Sequence, residues 1–338
     1  MKKRNLLVFL MGFMSLLIGI NKVSAAEMSF LVQADIPTNQ VDKSQSYFDL
    51  RMKPGQAQDL TVEMRNDTKD DVTVEVLPNT AITNDNGIVE YNNTTKKRDS
   101  SLKVGFKDIA TADKEVTIPA KSTKLLKIHV QMPKNEYTGT ILGGVYFTEK
   151  ASAETNKTQK GSQIVNRYAY VIGVKLTEND QVVNPALKLN SVKADQVNYR
   201  NVVTANIQNT ESAILTDLSI KGQIYRQGQK EVLYQATRKN LRMAPNSNFD
   251  YGISLNNKAF KPGKYTFKGV AKSKDKTWRF EKDFEIKGET ASKYNKKAVS
   301  LEKDNTWIYI LIGVIIFVLL LIVILVLMRK LKKARDVD

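Results

Sequence analysis

The sequence predicts an all-β protein: two immunoglobulin-like β-sandwich domains in tandem, preceded by a cleaved signal peptide and followed by one C-terminal transmembrane α-helix. Apolar and polar residues alternate over most of the chain, as strands with one buried face require. Gly, Pro, Asn and Asp punctuate that alternation at short intervals, which suits many short strands joined by turns. The two long uncharged apolar runs lie towards the two ends, outside the alternating part.

Residues 1–25 read as an export signal. Lys2-Lys3-Arg4 is a basic start, Leu6–Ile20 is an apolar run, and Val23-Ser24-Ala25 is a small-residue cut site. The first sandwich is expected at 27–180. Leu60-Thr61-Val62-Glu63-Met64, Val72-Thr73-Val74-Glu75-Val76 and Leu126-Lys127-Ile128-His129-Val130-Gln131-Met132 each put apolar side chains on one face. Pro54-Gly55, Pro78-Asn79, Asn86-Gly87, Pro119 and Pro133-Lys134-Asn135 supply the turns. All eight prolines are expected between strands or at strand edges, because proline cannot donate to a ladder.

The polar stretch 149–163 could pass for a domain linker. Thr140–Thr148 and Ile164–Leu176 on either side are both strand-like, and without the second the first sandwich lacks a closing strand. It is therefore read as a long hairpin loop. The second sandwich is placed at 184–288. Its expected strands are Val202–Gln208, Thr216–Tyr225, Glu231–Gln235, Phe249–Leu255, Tyr265–Ala271 and Trp278–Ile286, with Pro262-Gly263 turning the chain into a late strand. Trp278 is expected in core or rim packing. Residues 289–306 are polar, lysine-rich and aperiodic, and read as a stalk.

Residues 307–328 carry no charge, and eighteen of them are Ile, Leu, Val or Phe. At a rise of about 1.5 Å per residue this run crosses a hydrocarbon core of roughly 30 Å. Its side chains favour insertion by a sum on the order of 5–10 kcal/mol. Trp307 and Tyr309 suit the headgroup layer at one end. The tail 329–338 brings Arg329, Lys330, Lys332, Lys333 and Arg335 to the other, and is read as cytoplasmic under the positive-inside rule. Lysines also flank the outer side, so the export signal decides the orientation. No Leu-Pro-x-Thr-Gly sorting motif precedes the helix, which is therefore expected to stay as the anchor.

The formal net charge is +17. Setting aside the four basic residues of the signal and the five basic and two acidic residues of the tail leaves +10 for the exported part. In an exported protein that balance points to an anionic cell wall or to solubility, not to nucleic acid. The chain has no cysteine, so its cores must hold without disulfides.

Catalytic constellations are missing. His129 is the single histidine and falls on the polar side of its strand. With no cysteine to join it, a zinc site of the usual type cannot be assembled, and a Ser-His-Asp triad would hang on His129 alone. Asp67, Asp70 and Asp71 could offer oxygens to a hard cation, but read better as a solvated turn. Asn84-Asp85-Asn86-Gly87 begins like a calcium loop, yet Asn93 stands where the loop needs glutamate, which leaves a turn. Gly143-Gly144 interrupts an apolar strand and is expected to mark a bulge, with a close approach by another group as the alternative. Tyr168 and Tyr170 share a face, either as core packing or as a platform for a sugar. A Lys–Asn cross-link is conceivable but unmarked. No enzyme, cofactor or metal is expected, and no ligand-binding residue is assigned.

Several stretches together resemble a known family. They are Pro37-Thr38-Asn39-Gln40, Tyr47-Phe48-Asp49-Leu50, Pro54-Gly55-Gln56, Ile82-Thr83-Asn84, Gly87-Ile88-Val89-Glu90-Tyr91 and Met132-Pro133. Further along come Tyr137 to Phe147, Asn166 to Val174, Arg242 to Phe249 and Pro262-Gly263-Lys264-Tyr265. Their set and order resemble the WxL-interacting protein family of Gram-positive bacteria. The resemblance implies a non-catalytic cell-surface protein with a peptidoglycan-binding first domain and a host-binding second domain. It implies as partners the cell wall, WxL-domain surface proteins, host extracellular-matrix proteins and the membrane, without nucleic acid. The first domain also resembles, more loosely, the N-terminal sandwich of fimbrial chaperones. A membrane-tethered assembly chaperone and a sensor ectodomain are the alternative readings.

Overall fold

Alternating sequence folds into two-faced strands, and two such sheets must cover each other's apolar sides. The computed structural model describes residues 28–92, 95–150, 168–302 and 306–335. The expected signal peptide and residues 151–163 of the expected hairpin loop lie outside them. The chain divides into two compact units. The first gathers Met1–Leu187, Gln208–Thr216 and Arg242–Asn248, and the second Lys188–Ile207, Asp217–Leu241 and Phe249–Asp338.

The first unit contains β1 (Leu31–Asp35), β2 (Phe48–Arg51), β3 (Ala57–Arg65), β4 (Val72–Thr80), β5 (Ile82–Thr83) and β6 (Val89–Glu90). A one-turn helix, α1 (Phe106–Ile109), leads into β7 (Ala110–Thr111), β8 (Glu115–Ile118), β9 (Thr123–Gln131), β10 (Ile141–Glu149) and β11 (Ala169–Thr177). One sheet runs β1-β3-β9-β7, the other β2-β11-β10-β4-β8, and β5 pairs with β6. The strands that flank the expected hairpin loop, β10 and β11, pair antiparallel. The last strand β11 takes β2 as a parallel neighbour. The core between the sheets holds Phe48, Leu60, Val62, Met64, Val74, Ile118, Ile128, Val130, Val145, Phe147, Val174 and Leu176, every one buried.

Two expectations for this unit change. Pro78 is not in a turn but inside β4, opposite Val145 of β10. It is tolerated because β8 pairs only with Val72 to Glu75. The Val76 amide donates to Lys114 O on that side, so the same-facing position of residue 78 lies beyond the last partner. Gly143-Gly144 is not a bulge either, since the register of β10 against β11 and β4 runs through both glycines unbroken. The close approach is the correct alternative. A Cβ at Gly143 would overlap Cβ, Cγ and Cδ1 of Phe106, which α1 drives into the core. Tyr170 packs edge-to-face on Phe30 at 5.3 Å between ring centres, while Tyr168 is exposed, so the two do not form a platform.

The second unit is built on β12 (Leu187–Val197), β13 (Arg200–Asn209), β14 (Leu215–Arg226), β15 (Val232–Met243), β16 (Ser247–Ser254), β17 (Gly263–Ser273) and β18 (Lys276–Ile286). They form the sheets β12-β13-β16 and β15-β14-β17-β18. Strand β12 was not foreseen, because its apolar positions switch parity between Leu189 and Val192 across Asn190-Ser191. Strand β15 outruns its expected end at Gln235. Arg238 sits on its inner side but lies over the Tyr251 ring at 5.1 Å and donates to Gly252 O at 3.3 Å. Tyr251 is fully buried and donates to Ile220 O and Ala236 O, joining β16 to the facing sheet. Burial pushes its phenol up to about 12. Trp278 is half-buried at the rim.

The expected stalk does not begin at 289. Gly288–Lys297 forms a helix, α2. Ala291 is buried, and Tyr294 packs on Phe260 with ring centres 5.9 Å apart. The Asn295 amide accepts from Phe260 N at 2.8 Å and donates to Phe260 O at 3.0 Å. Two contacts one turn apart and one side-chain amide hold it, too narrow an apolar stripe to register as a helical period. The last helix, α3 (Thr306–Arg335), includes Tyr309–Arg329, long and apolar enough to cross a membrane and nowhere buried in protein.

The Gly143–Phe106 contact yields a test. Gly143→Ala should destabilise the protein by about 1–3 kcal/mol through overpacking. Gly252→Ala, where the nearest atom to the added carbon is 3.5 Å away, should be near neutral. Thermal unfolding of the two variants, followed by circular dichroism, measures the difference.

Candidate functional site

On β10, Val145 and Phe147 face the core, so Gly144 faces outwards; on β11, Ile172 and Val174 face the core, so Gly173 does too. These two glycines stand directly opposite each other in the ladder. The outer face of the sheet is therefore bare backbone at its middle, and two tyrosines settle there. The Tyr91 ring lies on Gly144, where a Cβ would come 2.9 Å from Cδ1, and Tyr47 lies on Gly173, where a Cβ would be 3.7 Å from its Cβ.

Buried amide side chains fix the main chain at both tyrosines. Gln40 donates to Tyr47 O at 2.8 Å and accepts from Asp49 N at 2.9 Å, which locks the chain entering β2. Asn79 of β4 donates to Tyr91 O at 2.8 Å. The hairpin β5–β6 that carries Tyr91 turns at Asn84, whose Oδ1 accepts from Asn86 N and Ile88 N, with Gly87 at φ +72°. The calcium-like motif is thus a turn. Its Gly87 carbonyl in turn accepts from Arg242 N at 2.8 Å.

A cleft of about 610 Å³ results, lined among others by Tyr47, Tyr91, Ile88, Val171, Gly173 and Arg242. Its volume lies in the ordinary range for small-ligand sites. Ile88, Val171 and Tyr47 are exposed around it. Burial raises the Tyr91 phenol, the Arg242 charge opposes the shift, and Tyr47 adds to it. Of the two cations, Lys175 is already paired with Asp49 at 3.1 Å. The Arg242 side chain is exposed and has no partner among the described residues. The arrangement can therefore hold a molecule with an apolar face and an anionic group. It carries no nucleophile–base pair.

The segments 208–216 and 242–248 belong to this unit because specific bonds fix them there. Ala244 N donates to Thr83 Oγ1 at 3.0 Å, the Thr83 and Ser247 hydroxyls bond each other, and Ser247 donates to Ala244 O at 2.8 Å. Thr140 N donates to Ser212 O at 2.7 Å. Asp99, almost fully buried, accepts from Gln208 at 2.7 Å, from Ser101 N and Oγ, and from Asn248. Burial alone would raise its carboxyl, but the donors outweigh it and hold it below the ordinary value. Beside it lies a smaller cavity of about 210 Å³ with Lys96, Lys97, Arg98 and Lys107 on its walls. Arg98 is occupied by Asp108, and Lys96 by Thr83 O and Asp85.

The other residues singled out in the sequence stay apart from the cleft. His129 Nδ1 is 2.9 Å from Asp59 Oδ1 on the exposed face of β9 and β3, and that bond holds the Asp59 carboxyl below its ordinary value. Asp67 pairs with Arg65 at 3.0 Å, and Asp71 accepts from Ala120 N at 3.0 Å. No group of acidic or histidine side chains able to hold a metal ion occurs among the described residues. Sequence reasoning missed Tyr47, Tyr91, Gly173 and Arg242 as members of one site. Each lies in a stretch that carries the family resemblance, which was the available signal.

Two family models match in succession. Residues 30–149 match the WxL Interacting Protein peptidoglycan binding domain, and residues 159–296 match the WxL Interacting Protein host binding domain. No curated protein matches the sequence. Among solved structures, a chaperone–tip adhesin complex of CFA/I fimbriae biogenesis is similar at 12% identity over 75% of this chain and 99% of that one, with a TM-score of 0.31. The CsuC–CsuE pre-assembly complex of Acinetobacter baumannii gives 12% identity, 75% and 98% coverage and a TM-score of 0.31. The class 5 fimbriae chaperone CfaA gives 13%, 75%, 98% and 0.29. Likenesses this distant carry no functional argument.

The Asp99 cluster makes a pH-dependent prediction. A carboxyl held below its ordinary value stabilises fully above the unfolded value near 4, and the contribution is lost as the pH falls through the folded value. Asp99→Asn should cost about 2 kcal/mol at pH 7. Its deficit relative to the parent protein should shrink by pH 3. Melting temperatures of both proteins at the two pH values give the readout.

Proposed function

The chain belongs to the WxL Interacting Protein family, and from that premise we propose that it is a membrane-anchored cell-envelope protein that works by binding. The ordered pair of domain matches is the observation that carries the reading. The first domain would hold the peptidoglycan of the wall, and the second would present its surface to host matrix or to WxL-type surface proteins, which it would keep at the cell surface. The apolar helix α3 supports a single membrane pass. The basic start of the sequence and the positive tail support an exported body with a cytoplasmic C-terminus. A net charge of +10 outside the membrane supports attraction to an anionic polymer. The expected absence of catalysis accords with two domains of binding type.

One observation favours the chaperone alternative. Strand β2 pairs with β11 only at Val174 to Thr177, so among the described residues no strand pairs with the β2-facing edge of Ala169–Gly173. Thr177 O accepts from Met52 N on the β2 side, and by alternation Val171 presents its main-chain groups in the same direction. An extended segment of a partner could add there.

Full-length protein in mild detergent, mixed with purified wall sacculi, should sediment with them far above an unrelated basic β-sandwich. Equal sedimentation would contradict wall binding. In intact wall-stripped cells, added protease should cut the region 28–302, and full protection there would contradict the orientation.

A further inference from the structure

The exposed guanidinium and the two tyrosines share one cleft, and the ligand chemistry they select is narrower than wall binding in general. We propose that the cleft over Gly144 and Gly173 is the polymer site of the first unit, and that Arg242 there pairs with a carboxylate of the bound glycopeptide. The inference rests on the peptidoglycan reading above and deepens it.

A saturated sugar ring has one face of C–H groups, and such a face packs on an aromatic side chain that is held in place. The main chain at Tyr47 and Tyr91 is held by Gln40 and Asn79, their side chains lie against Gly173 and Gly144, and both residues line the cleft. Gly144 and Gly173 let the two tyrosines sit close against the sheet as the floor of the cleft, since any Cβ at Gly144 would collide with Tyr91 and Val171. The cavity of about 610 Å³ has room for a disaccharide.

Charge then selects among sugars. Lys175 spends its charge on Asp49, whereas Arg242 has no partner among the described residues and its main chain is tied to Gly87. A planar fork of donors fits a carboxylate in a two-point contact. Peptidoglycan offers that group on the peptide stems of its amino-sugar strands, while an uncharged chitin-type strand offers the same ring faces without it. The cleft should therefore prefer stem-bearing strands to bare ones. A phosphate of wall teichoic acid is the competing anion, and the test separates it.

The experiment uses full-length protein in detergent and three ligands, with affinity read by calorimetry. The ligands are a disaccharide with an acidic peptide stem, a chitin oligomer of equal length, and a glycerol-phosphate oligomer. The parent protein should bind the stem-bearing ligand best. Arg242→Gln should weaken that ligand roughly tenfold or more and leave the chitin oligomer unchanged. Arg242→Lys should recover part of the loss. Tyr47→Ala should weaken both sugar ligands, and melting temperatures close to the parent would show that the fold is intact. Tightest binding of the glycerol-phosphate oligomer would overturn the carboxylate assignment. Full retention on sacculi by Arg242→Gln and Tyr47→Ala would overturn the site and leave the wall-binding reading standing. Failure of the parent protein to bind sacculi would overturn that reading itself.

Discussion

Two adjacent glycines in the middle of a five-stranded sheet set the geometry of the first unit. Neighbouring positions of a strand face opposite ways, so Gly143 and Gly144 remove a side chain from each face at one point. Inside, the gap admits the Phe106 ring, which pulls α1 against the sheet and closes the core. Outside, the gap, extended by Gly173 across the ladder, admits Tyr91 and Tyr47. A single Cβ on either side would forfeit one of these seats. The unbroken register of β10 is the condition for both, because a bulge would turn the second glycine out of opposition to Gly173.

The cleft rests on buried polar side chains as much as on apolar packing. Gln40 and Asn79 each satisfy a main-chain group beside a tyrosine, and Asp99 gathers donors from Ser101, Gln208 and Asn248. Satisfied buried amides and carboxylates of this kind tie down segments that have no sheet of their own. That suits a surface whose task is to keep side chains in position.

Much of this architecture could be read in advance. Period-two alternation in β3, β4 and β9 revealed strands with one wet face, and the uncharged run around Leu319 revealed the helix α3. The failures have specific causes. Strand β12 changes parity halfway, β15 hides an inward arginine over Tyr251, and α2 is held by contacts only a fold can bring together. Pro78 was misplaced because an open stretch of ladder beside it cannot be seen in one dimension. The glycine doublet was visible as an anomaly, but its meaning required knowing that Phe106 and Tyr91 arrive from opposite sides. Tyr47, Tyr91 and Arg242 are far apart in the chain, so no spacing could have joined them.

The most direct measurement is hydrogen–deuterium exchange of the full-length protein with and without solubilised peptidoglycan. Slower exchange confined to the segments around Tyr47, Tyr91, Val171 to Lys175 and Arg242 is the result this account predicts. Protection that spared those segments and appeared on the β3–β9 face or in the second unit would contradict it.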